Sequence, residues 1–224
     1  MRINADFDQR VVLHADEIEW LASPMAGVDR RPLDRIGDEV ARATTIVRYA
    51  PGSAFSPHTH GGGEEFIVLE GVFQDEHGDF PAGSYIRNPP TSSHTPGSAP
   101  GCVIFVKLWQ MQAEDRTHVR TDMGKIGRVP DAARPGVSVT PLFADTHEEV
   151  RVEDWAPGAA ATWTAEGGAE LLLLDGTASE AGDTLRAQSW VRIPPGGTVA
   201  LTAGPDGARI WMKHGHLTNI SAPA

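Results

Sequence analysis

The 224-residue sequence has a single cysteine, Cys102, so it can form neither an intrachain disulfide nor a thiolate-ligated zinc cluster. It has no apolar run of the ~18 residues that a membrane-spanning helix needs. Its opening residues, MRINADFDQR, lack the apolar core of a secretory leader, and the expectation is a cytoplasmic protein. Positive charge is scarce: 19 Lys and Arg stand against 30 Asp and Glu, a net charge of −11. That balance excludes a nucleic-acid backbone as a direct partner. Helical periodicity is missing too, and residues 113–118 would make at most a turn or two. What is plentiful is turn chemistry. The 24 glycines and 17 prolines are spread through the chain, and the 40% hydrophobic content and mean hydropathy of −0.26 suit a soluble, globular, all-β protein. The length allows one large or two small domains.

The stretch that carries chemistry is residues 52–71, GSAFSPHTHGGGEEFIVLEG. His58 and His60 are two apart, so on a strand over 54–60 both imidazoles face one side. Gly61, Gly62 and Gly63 let the chain turn tightly. A returning strand over 64–70 then brings Glu64 to the same point. Further on, a short strand, a Pro-Pro break and His94 offer a fourth ligand. Three imidazoles and one carboxylate suit a divalent transition metal such as Zn, Fe, Mn or Ni, without choosing among them.

The two stretches resemble the paired motifs of the cupin superfamily. The first, G-x5-H-x-H-x3-E-x6-G, is met by Gly52, His58, His60, Glu64 and Gly71. The second, G-x5-P-x4-H-x3-N, is met by Gly83, Pro89 and His94, with Ser98 in place of the final Asn. The run from His58 through GCVIFVKL is similar to the cupin-like domain of the anti-sigma factor ChrR over roughly residues 22–112. That resemblance implies one metal per chain, with zinc slightly favoured, on His58, His60, Glu64 and His94. It also implies a sensory or regulatory role toward an oxidant or small ligand. A sigma factor is not expected as partner, because the zinc-binding domain that precedes the cupin in that family has no counterpart here.

The second half of the chain repeats the first. GEEFIVLEG recurs as GAELLLLDG, YIRNPP as WVRIPP, and Gly27-Val28-x3-Pro32-Leu33 as Gly136-Val137-x3-Pro141-Leu142. The fold class expected is therefore all-β, with two tandem jelly-roll barrels, a bicupin. The first is expected over 1–116 and a degenerate one over 117–224. In this register His58 falls on Trp163, His60 on Ala165, Glu64 on Ala169 and His94 on Val199. The four ligand positions are lost together, which predicts a greasy second barrel without metal. Lys107, Arg87 and Glu65 have counterparts Lys213, Arg192 and Glu170, and read as structural.

His14, His77, His118 and His147 read as ordinary hydrogen-bonded or surface residues, and His214-x-His216 lacks a following acidic residue. Cys102 reads as a packed hydrophobe. Tyr85, Phe66 and Val68 are assigned to the pocket wall, and Trp109 to a barrel cap or an interface. Two functional classes stay open: a small-ligand sensor, or a metal-dependent dioxygenase of a diketone or hydroxyketone. A carbohydrate isomerase would need an acid–base pair that the sequence does not display. A monomer or a homodimer is allowed.

Overall fold

The computed structural model describes residues 1–223, and within them the chain is nearly all β. The helical content among the described residues is two single 3₁₀ turns, Ala15–Glu17 and Met123–Lys125. No helix is long and apolar enough to cross a membrane, which says nothing about strands.

The chain divides into two compact units. The first contains Met1–Ala5, Ile18–Lys125 and the tail from Ser221; the second contains Asp6–Glu17 and Ile126–Ile220. The expected boundary between 116 and 117 is corrected at both ends. Val119–Asp122 pairs antiparallel with Ser84–Asn88 of the first unit. Val11–His14 pairs with Ser189–Ile193 of the second. A strand's unit is decided by which edge hydrogen-bonds it, and sequence adjacency does not fix that.

In the first unit the main antiparallel sheet runs Arg2–Ile3, Val28–Gly37, Ala41–Tyr49, Cys102–Leu108, Glu64–Asp75, Ser84–Asn88, Val119–Asp122. Ala41–Tyr49 is the β-branched strand expected from ARATTIVRY. Residues of alternate parity enter the barrel interior, and Val28, Val47, Tyr49, Phe66, Val68, Ile104 and Val106 join one buried cluster there with Cys102. Short pairs complete the other face of the barrel: Ser53–Ala54 with Gly97–Ser98, and His58–Thr59 with Ser93–His94. The continuous strand expected over 54–60 is thus two pieces. Pro57 and Pro96 each lack an N–H for the ladder. The second unit has Thr162 and Leu201 in the matching places, and Ala160–Ala165 there is unbroken.

The second unit repeats the order with Val129–Pro130, Val137–Ala144, Glu149–Trp155, Gly197–His214, Ala169–Glu180, Ser189–Ile193 and Val11–His14. The registers correspond: Cys102 lies opposite Tyr49, and Ala208 opposite Trp155. Gly71 and Gly176 recur for a packing reason, since a Cβ would stand 2.0 Å from Gly101 O in one and 2.2 Å from Gly207 O in the other. Ala165, Ala169 and Val199 lie in the second unit's hydrophobic core, with Trp163 packed against it. The expectation of a wholly greasy interior is corrected, however. Glu153 is fully buried and is bonded by Arg134 at 2.6 Å, Arg151 at 2.7 Å and the Trp155 indole at 2.8 Å. A buried carboxylate survives there because three donors surround it.

Candidate metal centre

His58 sits on the two-residue strand that pairs with Ser93–His94, and its direct partner across that ladder is His94. His60 follows, and the glycine triplet then returns the chain into Glu64–Asp75. The triplet has a second reason to be glycine. A Cβ on Gly62 would stand 2.4 Å from the Trp109 ring, and one on Gly61 2.6 Å. Trp109 therefore lies flat on this turn and lines the cavity beside it.

One nitrogen from each of His58, His60 and His94 and one oxygen of Glu64 lie within 4.8 Å of one another. His60, Glu64 and His94 are buried, and His58 is exposed. The ring centroids are 4.6–5.0 Å apart. Nε2 of His60 is 3.4 Å and Nε2 of His94 3.5 Å from Glu64 Oε2.

Each imidazole is oriented through its other nitrogen. His60 Nδ1 is 3.0 Å from Ser92 Oγ, whose own proton goes to Pro89 O at 2.6 Å. His94 Nδ1 is 3.1 Å from Asp75 Oδ2, and His58 Nδ1 is 3.3 Å from Ser56 O. All three partners act as acceptors, so each Nδ1–H donates, and the Nε2 atoms of His60 and His94 are left turned toward Glu64. Asn88 Nδ2 donates to Glu64 Oε2 at 3.1 Å and holds the carboxylate in place.

The electrostatics fit a cation. Nε2 of His60 and of His94 are buried and have no hydrogen-bond donor or acceptor of their own. Burial, against the pull of Glu64, pushes the His60 pKa down to about 4, so its lone pair faces the carboxylate at neutral pH. Burial also works to lower His94, but its bond to Asp75 and the Glu64 charge outweigh it and raise the pKa. Two buried Nε2 atoms without a partner, 3.4 and 3.5 Å from one carboxylate oxygen, leave a site for a positive ion. The residues present fit a divalent metal.

Other assignments can now be placed. Phe66 and Val68 belong to the buried cluster of the barrel interior and do not line the cavity, contrary to expectation. Tyr85 does not line the cavity; its hydroxyl donates to Glu65 Oε1 at 2.6 Å on the opposite strand face. Arg87 and Lys107 stand across the ladders from Glu65, and Arg87 is salt-bridged to Asp115 at 2.7 Å. His14 is bonded to Ser189 at 2.8 Å, and His77, His118 and His147 are exposed. Cys102 is buried, and burial pushes its thiol up to about 11. Ser98, where the motif has Asn, donates to Val72 O at 2.6 Å. Sequence reasoning missed Asp75, Ser92 and Asn88. None has a spacing signal, because each reaches its His or Glu partner from a separate turn or strand.

A cavity of about 510 Å³ opens beside the cluster. His58, His60 and Glu64 line it together with Val47, Phe55, Ile104, Val106 and Leu108, and Arg30 and Arg35 enter it from the Val28–Gly37 strand.

The fold is of the cupin kind, two jelly-roll barrels, with a His/Glu cluster in the first. Residues 8–112 match the family described as the ChrR cupin-like domain, so the first barrel is similar to that domain. No curated protein matches the chain. Among solved structures, a candidate dioxygenase from Nostoc punctiforme is similar at TM-score 0.78 and 13% identity, covering 97% of this chain and 87% of that one. The pirin YhhW from Escherichia coli, in complex with nickel(II), is similar at TM-score 0.65 and 15% identity, over 92% and 99% of the two chains. The oxalate decarboxylase of Lactobacillus farciminis, as a formate complex, is similar at TM-score 0.63 and 11% identity, over 95% and 88%. These likenesses are of fold.

Proposed function

We propose that His58, His60, Glu64 and His94 hold one divalent transition metal, and that the first barrel is a metal-dependent receptor for a small organic ligand with a regulatory role. The observation that carries this reading is the convergence of three imidazoles and one carboxylate within 4.8 Å, with Nε2 of His60 and of His94 buried and unpartnered. The cavity beside them gives a ligand access to the same point. A bound ion would supply a Lewis-acidic position at which an oxygen-bearing ligand is polarised and oriented. The chain's own residues do the rest. Ser92, Asp75 and Ser56 fix the imidazole tautomers, Asn88 steadies Glu64, and the apolar wall keeps water from competing for the ligand. The resemblance to the ChrR cupin-like domain slightly favours zinc, while the nickel complex of a protein of the same fold keeps other ions open.

A second reading, a metal-dependent dioxygenase acting on a small diketone or hydroxyketone, is favoured by the size of that cavity and by the fold likeness to the candidate dioxygenase. The test is elemental analysis of the purified full chain, with oxygen uptake measured on adding acetylacetone. One equivalent of metal, lost in His60→Ala, is expected. Two equivalents per chain, or full retention in the variant, would overturn the assignment. Zinc without oxygen uptake supports the receptor; iron with uptake supports the dioxygenase.

A further inference from the structure

The first barrel carries two cations that the metal cluster does not use. Arg30 and Arg35 are five positions apart, and on a regular strand they would face opposite sides. A bulge between Pro32 and Asp34 restores the same side. The Asp34 carboxylate holds that bulge by accepting the Thr44 N–H at 3.0 Å. Both arginines consequently reach the cavity that His58, His60 and Glu64 line.

Their partners differ. Arg35 is tied down by backbone carbonyls of the following hairpin: Nε donates to Gly37 O at 3.3 Å, and Nη2 donates to Asp38 O and, at 3.5 Å, to Glu39 O. The Arg30 backbone is paired in the ladder, but its guanidinium has no hydrogen bond or ion pair among the described residues. Glu39, exposed at the rim, is the other carboxylate on the cavity besides Glu64. Burial first, and the neighbouring Arg30 charge second, lower the Arg35 pKa.

The internal repeat serves as a control. Arg30 pairs with Val47 and Arg35 with Ala43; in the second barrel Val139 pairs with Glu153 and Ala144 with Glu149. Val139 and Ala144 thus occupy the places of the two arginines. The same barrel that lacks the four candidate ligands also lacks this cation pair, while the structural Lys107, Arg87 and Glu65 are kept as Lys213, Arg192 and Glu170. The second barrel's own interior arginines, Arg134 and Arg151, are both bonded to Glu153. Cations matched by a protein carboxylate accompany the barrel without a cluster. A cation with no such match accompanies the barrel with one.

We infer that the first barrel's ligand is a small organic carboxylate with an apolar body, whose carboxylate Arg30 receives while its other oxygen approaches the His/Glu centre. Arg35 sits behind as a fixed cation that adds to the field, and Val47, Ile104, Val106 and Leu108 accept the apolar part. The guanidinium fork suits a carboxylate better than a neutral carbonyl, so charge and not only shape sets the choice. This inference rests on the metal reading above.

The test is isothermal titration of the zinc-loaded full chain with two probes of similar size, 4-methyl-2-oxopentanoate and the neutral chelator acetylacetone. Wild type should bind the oxo acid more tightly than the diketone. Arg30→Met should weaken the oxo acid by at least about tenfold and leave acetylacetone unchanged, Arg30→Lys should lose less, and Arg48→Met, an exposed cation paired with Asp29, should lose nothing. Unaltered melting curves show that the variants are folded. An Arg30→Met protein that binds the oxo acid within twofold of wild type would overturn the inference. So would a wild type that prefers the diketone or binds neither probe. If zinc fails to load, or loads equally on His60→Ala, the metal reading fails and this inference falls with it. Normal loading with a silent Arg30→Met sinks the inference alone.

Discussion

His58 and His94 face each other directly across paired strands, and Trp163 and Val199 face each other at the same two places in the second barrel. One backbone register therefore presents either two imidazoles or two apolar side chains. The barrel does not need the histidines for its ladder, since Trp163 and Val199 make the same pairing in a longer and unbroken strand. Burying His60, Glu64 and His94 beside one another costs desolvation that a bound cation would offset.

Metal removal should therefore destabilise the chain. An ion that binds the folded state alone, at a hundred times its dissociation constant, stabilises by about 2.7 kcal/mol. Chelation by EDTA is expected to lower the melting temperature of wild type. His94→Ala, which removes a ligand, should show little further change on chelation. Differential scanning calorimetry with and without added zinc makes the measurement, and equal shifts in both proteins would count against the cluster.

Asp75 should matter to affinity although it does not reach the centre. Its carboxylate fixes the His94 tautomer at 3.1 Å and raises the basicity of the ring. Loss of such a partner costs about 10–100-fold in metal affinity. Asp75→Ala is expected to fall in that range in competition with a coloured chelator. Gln74→Ala, whose side chain bonds Asp79 and Ala99, should leave metal affinity unchanged.

The clustering of His58, His60, Glu64 and His94 was legible in the sequence because its signals are local. The i, i+2 spacing of His58 and His60, the glycine turn and the return to Glu64 are all short-range facts. The Ala41–Tyr49 strand was legible for the same reason, being a run of β-branched residues. What sequence could not show depends on distant partners. Val11–His14 could join either barrel by composition, and only its pairing with Ser189–Ile193 decides. Arg30 and Arg35 fall on opposite faces by simple alternation, and the bulge that reunites them is held by an Asp34–Thr44 bond across two strands. Glu153 has no local signal that marks it as buried. Its burial depends on Arg134, which lies in a different segment.

Gly62→Ala should destabilise the first barrel by about 1–3 kcal/mol, the range for overpacking. The added methyl would need the Trp109 ring to shift from a 2.4 Å approach, and Trp109 also lines the cavity. Gly127→Ala serves as control, since nothing lies within 4 Å of a Cβ there, and it should stay within about 0.5 kcal/mol of wild type. Urea denaturation gives both values. A silent Gly62→Ala would mean that Trp109 does not rest on this turn.

The second barrel should carry its own acid sensitivity through His214. Burial, and then the Arg151 charge, push its pKa down to about 4, against 6.5 for a free imidazole. Between those values the unfolded chain binds the proton and the folded chain does not. Folding stability therefore rises with pH through this window and is lost as pH falls from 6.5 toward 4. Below about pH 4 both states are protonated and this contribution levels off. His214→Gln, which cannot take up that proton, should flatten the slope by an amount on the order of 1–2 kcal/mol across the window. Urea midpoints at pH 4.5, 5.5 and 6.5, compared between wild type and variant, make the check. Parallel pH profiles in the two proteins would show that His214 stays hydrated enough to titrate normally.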